Sequence, residues 1–385
     1  MNDLHIHIIS FDIPYPPVYG GVIDVFYQIK ALSEAGVRIH LHAFDYGKGH
    51  RSEDLEQYCY RVDYYSRSTG LKSALGLMPY ITSSRRSDRL VDELVRDDYP
   101  ILFEGLHTCY HINDKRLFGR LKLIRTTNIE HRYYANLALA ERNVFRKIYF
   151  TNAAFKLRFY QQVIKHANLI LPVSEADTAY FQKKFPSKKI IAIPCFHANR
   201  QTSCERVSEK YVLYQGDLEV AENERAAIYL IRKVMESVNY PFIIAGHSPS
   251  ARLQHIAARF PNINIMASPD EATMNDLIAK AHINLLVTFQ ATGLKLKLLN
   301  ALYKGNFVIA NHKMLHGTGL EALCYVADTA AEMKKLVITL MDMEYPSVKE
   351  GPTYKALYDH YDTAQNAERL IGLINDELKE RNKLQ

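Results

Sequence analysis

Two lysines, Lys295 and Lys297, sit inside Ala291-Thr292-Gly293-Leu294-Lys295-Leu296-Lys297-Leu298-Leu299-Asn300, directly behind the apolar run 283–287. The run has the length of a strand and the residues after it recur at helical spacing. Thr292 and Gly293 are therefore predicted near the first turn of a helix, where backbone N–H groups have no partner within the helix. Lysines at that end oppose the helix dipole, which favours anions, so the pair points to a bound anion such as a phosphate; the plain alternative is a solvated basic face. Gly20-Gly21, behind the strand-like Leu4, Ile6 and Ile8, offers a second anion-accepting turn, although a tight turn after Pro16-Pro17 accounts for it equally. Glu104 and His107 lie just past the apolar run 101–103. Thr127-x-x-Glu130 ahead of an apolar helix fits a capping box and places Asn128, Glu130 and His131 at the same end of the sheet. The Gly-x-Gly-x-x-Gly and Gly-x-x-x-x-Gly-Lys-Ser/Thr nucleotide motifs are absent, which argues against dinucleotide oxidoreductases and P-loop enzymes.

These residues need elements to hold them. Leu4, Ile6 and Ile8 alternate, Val22, Val25, Phe26, Ile29 and Leu32 recur at helical spacing, Gly36 closes that helix, and Val37, Ile39, Leu41 and Ala43 alternate again: one βαβ unit. Apolar runs at 101–103, 121–124, 169–173 and 190–193 extend the same sheet. A second series at 211–214, 242–245, 263–266, 283–287, 307–310 and 325–327 alternates with helical patterns and reads as a second doubly wound domain. The segment 195–210 is polar and without periodicity, which predicts an interdomain linker and a boundary near residue 200, with domains over 1–200 and 201–385. A helix over about 363–379 carries Leu370, Ile371, Ile374 and Leu378 on one face and needs a partner surface, which the first domain can supply. Two such domains create a cleft at the carboxyl ends of their sheets, where ligands bind.

With 385 residues, 48% hydrophobic and 23% charged, the chain can bury two cores. A net charge of +6 falls short of the footprint of a nucleic-acid binder, and the 5 cysteines (Cys59, Cys109, Cys195, Cys204, Cys324) have neither zinc-ligand nor disulfide-relay spacing. Reduced thiols, no signal-peptide pattern and no run of about 18 apolar residues predict a cytoplasmic protein. The segment 143–166 holds Arg146, Lys147, Lys156, Arg158 and Lys165, no acidic residue, and Phe145, Ile148, Tyr149, Phe150, Phe155, Phe159 and Tyr160. It fits a helix lying on an anionic membrane surface at the inner face, and equally an ordinary helix with its aromatics in the core.

ATGLKLKLLNALYKGNFVIAN resembles the donor-binding segment of GT-B fold glycosyltransferases, specifically the retaining family-four group. PPVYGGVIDVFYQIKALSEAG resembles that group's glycine loop and first helix, and FEGLHTCY, TTNIEHRYYANLALAERNVFRKIYF and YVLYQGDLEVAENERAAIYLI continue the likeness in order to about residue 340, nearest to a bacterial subgroup of polysaccharide and glycoconjugate clusters. The resemblance implies an α/β GT-B architecture of two Rossmann-like domains facing a cleft. The first would take a glycan or lipid-linked acceptor and the second a nucleoside-diphosphate sugar donor, with no further cofactor and no metal. It assigns the donor to Gly20, Gly21, Gly216, Thr292, Gly293, Leu294, Lys295, Lys297 and Asn300. It places His107 beside the reacting sugar and Lys297 on the leaving diphosphate, and leaves Glu104, Asn128, Glu130 and His131 on the acceptor side.

This chain departs from the group at two places. Thr292 and Asn300 stand where the group has two glutamates eight apart; Asn300 can still bond a ribose hydroxyl, whereas Thr292 supplies no carboxylate. Gly216 is followed by Asp217, Glu219, Glu222 and Glu224 where the group shows an arginine and then a lysine, so the diphosphate falls to Lys295 and Lys297. Two other readings follow: a non-catalytic nucleotide-sugar-binding or scaffold protein of the same fold, and a nucleotide-sugar epimerase, for which no acid and base carboxylate pair is legible.

Overall fold

Short apolar strands that connect through helices must pair in parallel and be covered on both faces. In the computed structural model, which describes residues 4–45, 53–70, 76–141, 143–200, 208–291, 293, 295–345 and 352–383, this happens twice. The first sheet comprises β1 (His5–Ser10), β2 (Arg38–Asp45), β3 (Arg61–Ser66), β4 (Ile101–Glu104), β5 (Lys122–Thr126), β6 (Leu169–Pro172) and β7 (Lys189–Ile190) in the order β3-β2-β1-β4-β5-β6-β7. The second comprises β8 (Glu209–Gln215), β9 (Phe242–Gly246), β10 (Ile263–Ala267), β11 (Ala281–Leu286), β12 (Phe307–Ala310) and β13 (Tyr325–Val326) in the order β10-β9-β8-β11-β12-β13. Every described pairing is parallel.

The longer helices are α1 (Gly20–Glu34), α2 (Asp88–Leu94), α3 (Glu130–Ala140), α4 (Val144–Tyr160), α5 (Glu175–Lys184), α6 (Ala221–Tyr229), α7 (Ala251–Ala257), α8 (Glu271–Lys280), α9 (Leu296–Lys304), α10 (Ala330–Met341), α11 (Pro352–Tyr361) and α12 (Thr363–Asn382). All six apolar runs of the second half are strands. In the first half the sequence reading passed over β3, whose Arg61-Val62-Asp63-Tyr64-Tyr65-Ser66 lacks an apolar run and forms the sheet edge. The segment read as a linker is partly core: Cys195, Phe196, His197 and Asn199 are buried, and the Phe196 N–H donates to Asp24 at 2.7 Å. The last helix returns to the first sheet. Ala367, Leu370, Ile371 and Ile374 join Val25, Ile29, Ile39 and Leu102 in one core, and Lys189 pairs with Glu377 at 2.9 Å.

One buried polar array is unusual for a parallel sheet. His5 and His7 on β1 lie beside His40 and His42 on β2. His5 Nδ1 and His40 Nε2 are 2.9 Å apart, His7 Nδ1 and His42 Nε2 2.8 Å, His7 Nε2 and Asp97 Oδ1 2.9 Å, and His42 Nδ1 and Tyr65 Oη 2.9 Å. Only one proton arrangement satisfies the longer chain with neutral rings: Tyr65 donates to His42, His42 to His7, and His7 to Asp97. Burial, with the neighbouring histidines and arginines, lowers the pKa of His40 to about 4 and that of His42 well below its usual value. Because the folded values lie below the unfolded value of about 6.5, the unfolded chain takes up protons first as the pH falls, and stability is lost from about pH 6.5 downward. The melting temperature should decline progressively from pH 6.5 to 4, with a shallower slope in His40→Gln; an identical slope in that variant would remove the array from the account.

Candidate active site

In each sheet the strand order reverses beside the first strand, between β1 and β4 and between β8 and β11. Loops leaving neighbouring strands there diverge to opposite faces and open a crevice at the carboxyl ends. The residues singled out by sequence gather at these two places.

In the first domain, α1 opens at Gly20 with Tyr19 as a cap that supplies no side-chain acceptor, so its first N–H groups have no partner within the helix. Gly21 lies against Phe11: a Cβ there would come 2.8 Å from Cζ of that ring, so the ring would have to shift, and the ring centre lies 5.4 Å from that of His107. His107 stands in a short turn over Leu106–His111, behind Gly105, whose φ of +73° is in the left-handed region. Its Nδ1 is buried with no hydrogen-bond partner, and burial beside the Arg85 and Arg67 guanidiniums lowers its pKa to about 3. The imidazole is neutral at physiological pH. Arg85 is itself buried and donates to the Phe11 carbonyl at 2.8 Å.

Glu104 lies deeper than its neighbour His107, fully enclosed. Arg125 pairs with Asp24 of α1, both buried, and donates to the Pro194 carbonyl at 2.8 Å. Asp24 already claims the guanidinium, so burial dominates at Glu104 and raises its pKa to about 8, opposed by Arg125 and the nearby Gln28 amide. This arrangement was not read from the sequence; an arginine inside the strand Lys-Leu-Ile-Arg-Thr was its one visible sign.

The expected capping box does not form: α3 begins at Glu130 with Ile129 as its cap. Glu130 is instead buried, and burial together with the Asp177 carboxylate raises its pKa to about 8, while that of Asp177 rises to about 6. The sequence reading found no carboxylate pair in the cleft; the fold brings this one together. His131 is half-buried, with Nδ1 unpartnered and its pKa lowered to about 4 by burial and by Lys184 and Arg132.

In the second domain, Lys297 donates to Asn223 Oδ1 at 2.8 Å and lies 5.4 Å from the Tyr214 ring centre. Gly216 makes room for it: a Cβ at that position would be 3.3 Å from both Lys297 Nζ and Asn223. Glu222, read as crowding this turn, points inward and accepts from the Thr288 hydroxyl and from the Phe289 and Gln290 N–H groups at 3.0 and 3.2 Å, which shapes the loop after β11. Burial lowers both Lys295 and Lys297 to about 8, opposed in each case by the Glu222 carboxylate. Lys295 caps α9, so the helix begins three residues later than Gly293. Asn300 accepts from Asn199 Nδ2 at 2.8 Å. Thr292 and Leu294 lie outside the described residues.

The two domains meet here. Gly293 has φ +89°, and a Cβ on it would be 2.5 Å from Asn128 Oδ1; Gly317, at φ +70°, faces Ala176 in the same way, at 2.7 Å from its Cβ. Between these approaches a small pocket is lined by Ser174, Cys195, Gly293, Lys295, His316 and Tyr361. The fold thus joins Asn128, Asp177, Gly293, Lys295, Lys297 and Gly216 around one crevice, and Gly21 and His107 around Phe11, with Gly20 next to Gly21 at the start of α1. An anion on the lysines would meet cations positioned before it arrives. Among the described residues, Asp217, Glu219 and His247 are the group that could hold a metal ion, their ligand atoms within 4.8 Å of one another at the surface.

No family model matches the chain. A stretch of 336 residues, 81% of this chain and 84% of the other, is 25% identical to an uncharacterized 44.6 kDa protein in the cps region of Klebsiella pneumoniae. Among solved structures, sucrose-phosphate synthase from Thermosynechococcus elongatus superposes with a TM-score of 0.68 at 13% identity, over 98% of this chain and 100% of that one. A variant of S. aureus TarM, in complex with fondaparinux, α-GlcNAc-glycerol and UDP, gives 0.67 at 11% identity over 97% and 100%. The lipopolysaccharide outer core galactosyltransferase WaaB gives 0.64 at 12% identity over 97% and 100%. The architecture is therefore GT-B.

Proposed function

We propose that this chain is a retaining glycosyltransferase that moves a hexose-type sugar from a nucleoside-diphosphate donor to a glycan or lipid-linked acceptor in surface polysaccharide or glycoconjugate synthesis. The observation that carries the reading is the pair Lys295 and Lys297, held at the amino end of α9 where the second sheet reverses, with Gly216 and Gly293 keeping the approach open. Cleavage of the sugar–phosphate bond leaves negative charge on the diphosphate, and cations fixed in a dry site stabilise it without reorganising. The acceptor oxygen bonds the anomeric carbon on the face the diphosphate leaves, and the acceptor proton passes to the departing phosphate oxygen. His107 is neutral, so its ring can hydrogen-bond a sugar hydroxyl without competing for the diphosphate. The cps-region relative and the glycosyltransferase and sugar-phosphate synthase neighbours support the same class.

The test is a melting-temperature panel against UDP, GDP, ADP, dTDP and CMP and their sugar conjugates, since a ligand that binds only the folded state raises the transition. One nucleoside diphosphate is expected to stand out. A flat panel favours the non-catalytic scaffold reading. His107→Ala should lower turnover about 10²-fold while keeping that shift, as expected of a group acting at the reacting sugar; loss of the shift with no separate effect on turnover would place His107 in donor binding. Glu130 and Asp177 favour one second reading, an epimerase using them as acid and base. Donor conversion in the absence of any acceptor would select it.

A further inference from the structure

We infer that α4 lays its outer face on an anionic lipid bilayer. The helix packs against α3 and buries only Ala153 and Leu157. Its opposite face holds Val144 64% exposed, Phe145 84%, Ile148 62%, Phe155 64% and Phe159 62%. At 100° per residue, positions 144, 148, 155 and 159 fall on one stripe with 145 at its margin, pointing away from the protein. Single exposed apolar residues need no explanation, but an aligned row of this size marks a surface that meets something apolar. Two further residues enlarge it: Leu139, 75% exposed at the end of α3, and Leu77, 97% exposed beside Gly76, whose carbonyl accepts from Lys156 at 2.7 Å.

Charge selects the occupant. Lys147 and Arg158 flank the stripe on one side and Lys156 on the other, and no acidic residue occurs between 143 and 166. A second copy of this face would bring like charges together, whereas anionic headgroups complement them while the aromatics enter the acyl boundary. No described helix is long and apolar enough to cross a membrane, so the contact is a peripheral one. The orientation also has a use. α3 runs from Glu130 at the crevice to the turn before α4, about 16 Å for its length, which sets the crevice within reach of an acceptor anchored in the same leaflet. The surface goes beyond the glycosyl-transfer reading and its test does not require turnover.

The full chain should sediment with vesicles of equal phosphatidylethanolamine and phosphatidylglycerol and stay in solution with pure phosphatidylcholine. Phe145→Ser with Phe159→Ser, and separately Lys147→Glu with Arg158→Glu, should each lower the partition coefficient at least about tenfold. Because these side chains are exposed, the melting temperature and the nucleotide panel should be unchanged. Equal binding by the variants, or equal binding to neutral vesicles, would overturn the proposal. So would a self-association seen by light scattering that Phe145→Ser abolishes, since a second copy would then cover the face.

Discussion

Replacing Lys297 by Ala is expected to lower turnover about 10²- to 10³-fold and to abolish the melting shift given by the preferred nucleoside diphosphate, the loss typical of one preorganised donor to a developing charge. The expectation rests on position: the half-buried side chain has its ammonium held by Asn223 behind Gly216, so no mobile surface lysine can replace it. Its pKa of about 8 adds a pH dependence. In the free protein, Lys297 and Lys295 lose their charge as the pH rises through about 8, so donor affinity should fall above that value, and donor binding at and above it should draw in protons. The same depression costs stability. The folded value lies below the unfolded value of about 10.4, so the unfolded chain holds the proton more tightly and the penalty is present at every pH below about 8. Lys297→Met should therefore keep or raise the melting temperature at pH 7 while removing donor binding, the exchange expected where a site is kept strained for its ligand. A destabilised Met variant would mean that Lys297 is structural.

Arg125→Ala is expected to be the most damaging of these changes to the fold, costing about 3–5 kcal/mol and lowering the melting temperature by roughly 10 °C. The substitution leaves Asp24 buried without its counter-charge, beside a Glu104 that is already held protonated, and removes the bond to the Pro194 carbonyl that ties the exit from the first sheet to its centre. A double variant, Arg125→Met with Asp24→Asn, should regain most of the loss, because the amide oxygen can still accept the Phe196 N–H and no buried charge remains. Thermal or urea unfolding of the three proteins measures this directly. A single variant as stable as the parent would show that the pair contributes nothing net.

Much of the fold was legible because buried parallel strands announce themselves as apolar runs; the second sheet is complete on that signal alone. What escaped was decided by tertiary context. β3 pairs through its backbone at the sheet edge, so its side chains carry no core pattern. Residues 195–199 look polar and aperiodic, yet Cys195 and Phe196 fill the space under α1 and α9. Thr127 and Glu130 have capping-box spacing, but the chain enters α3 through Ile129 and takes Glu130 to the domain interface. At the site, the glycines and lysines were visible as residue types in helix-entry turns. The partners of those residues, Asn223, Asp177 and Asn128, come from another helix or from the other domain, and their approach depends on how two sheets are set against each other, which one-dimensional spacing does not encode.

The return of α12 to the first sheet has a consequence for how the protein is made. The first core is closed by Ala367, Leu370, Ile371 and Ile374, which leave the ribosome after all of β8 to β13. Residues 209–345 can assemble their own sheet while the earlier half still waits for its final layer, so during synthesis the part emerging first is completed last. Over that interval the face of α1 that α12 later covers stands open, the kind of transient apolar surface that chaperones hold.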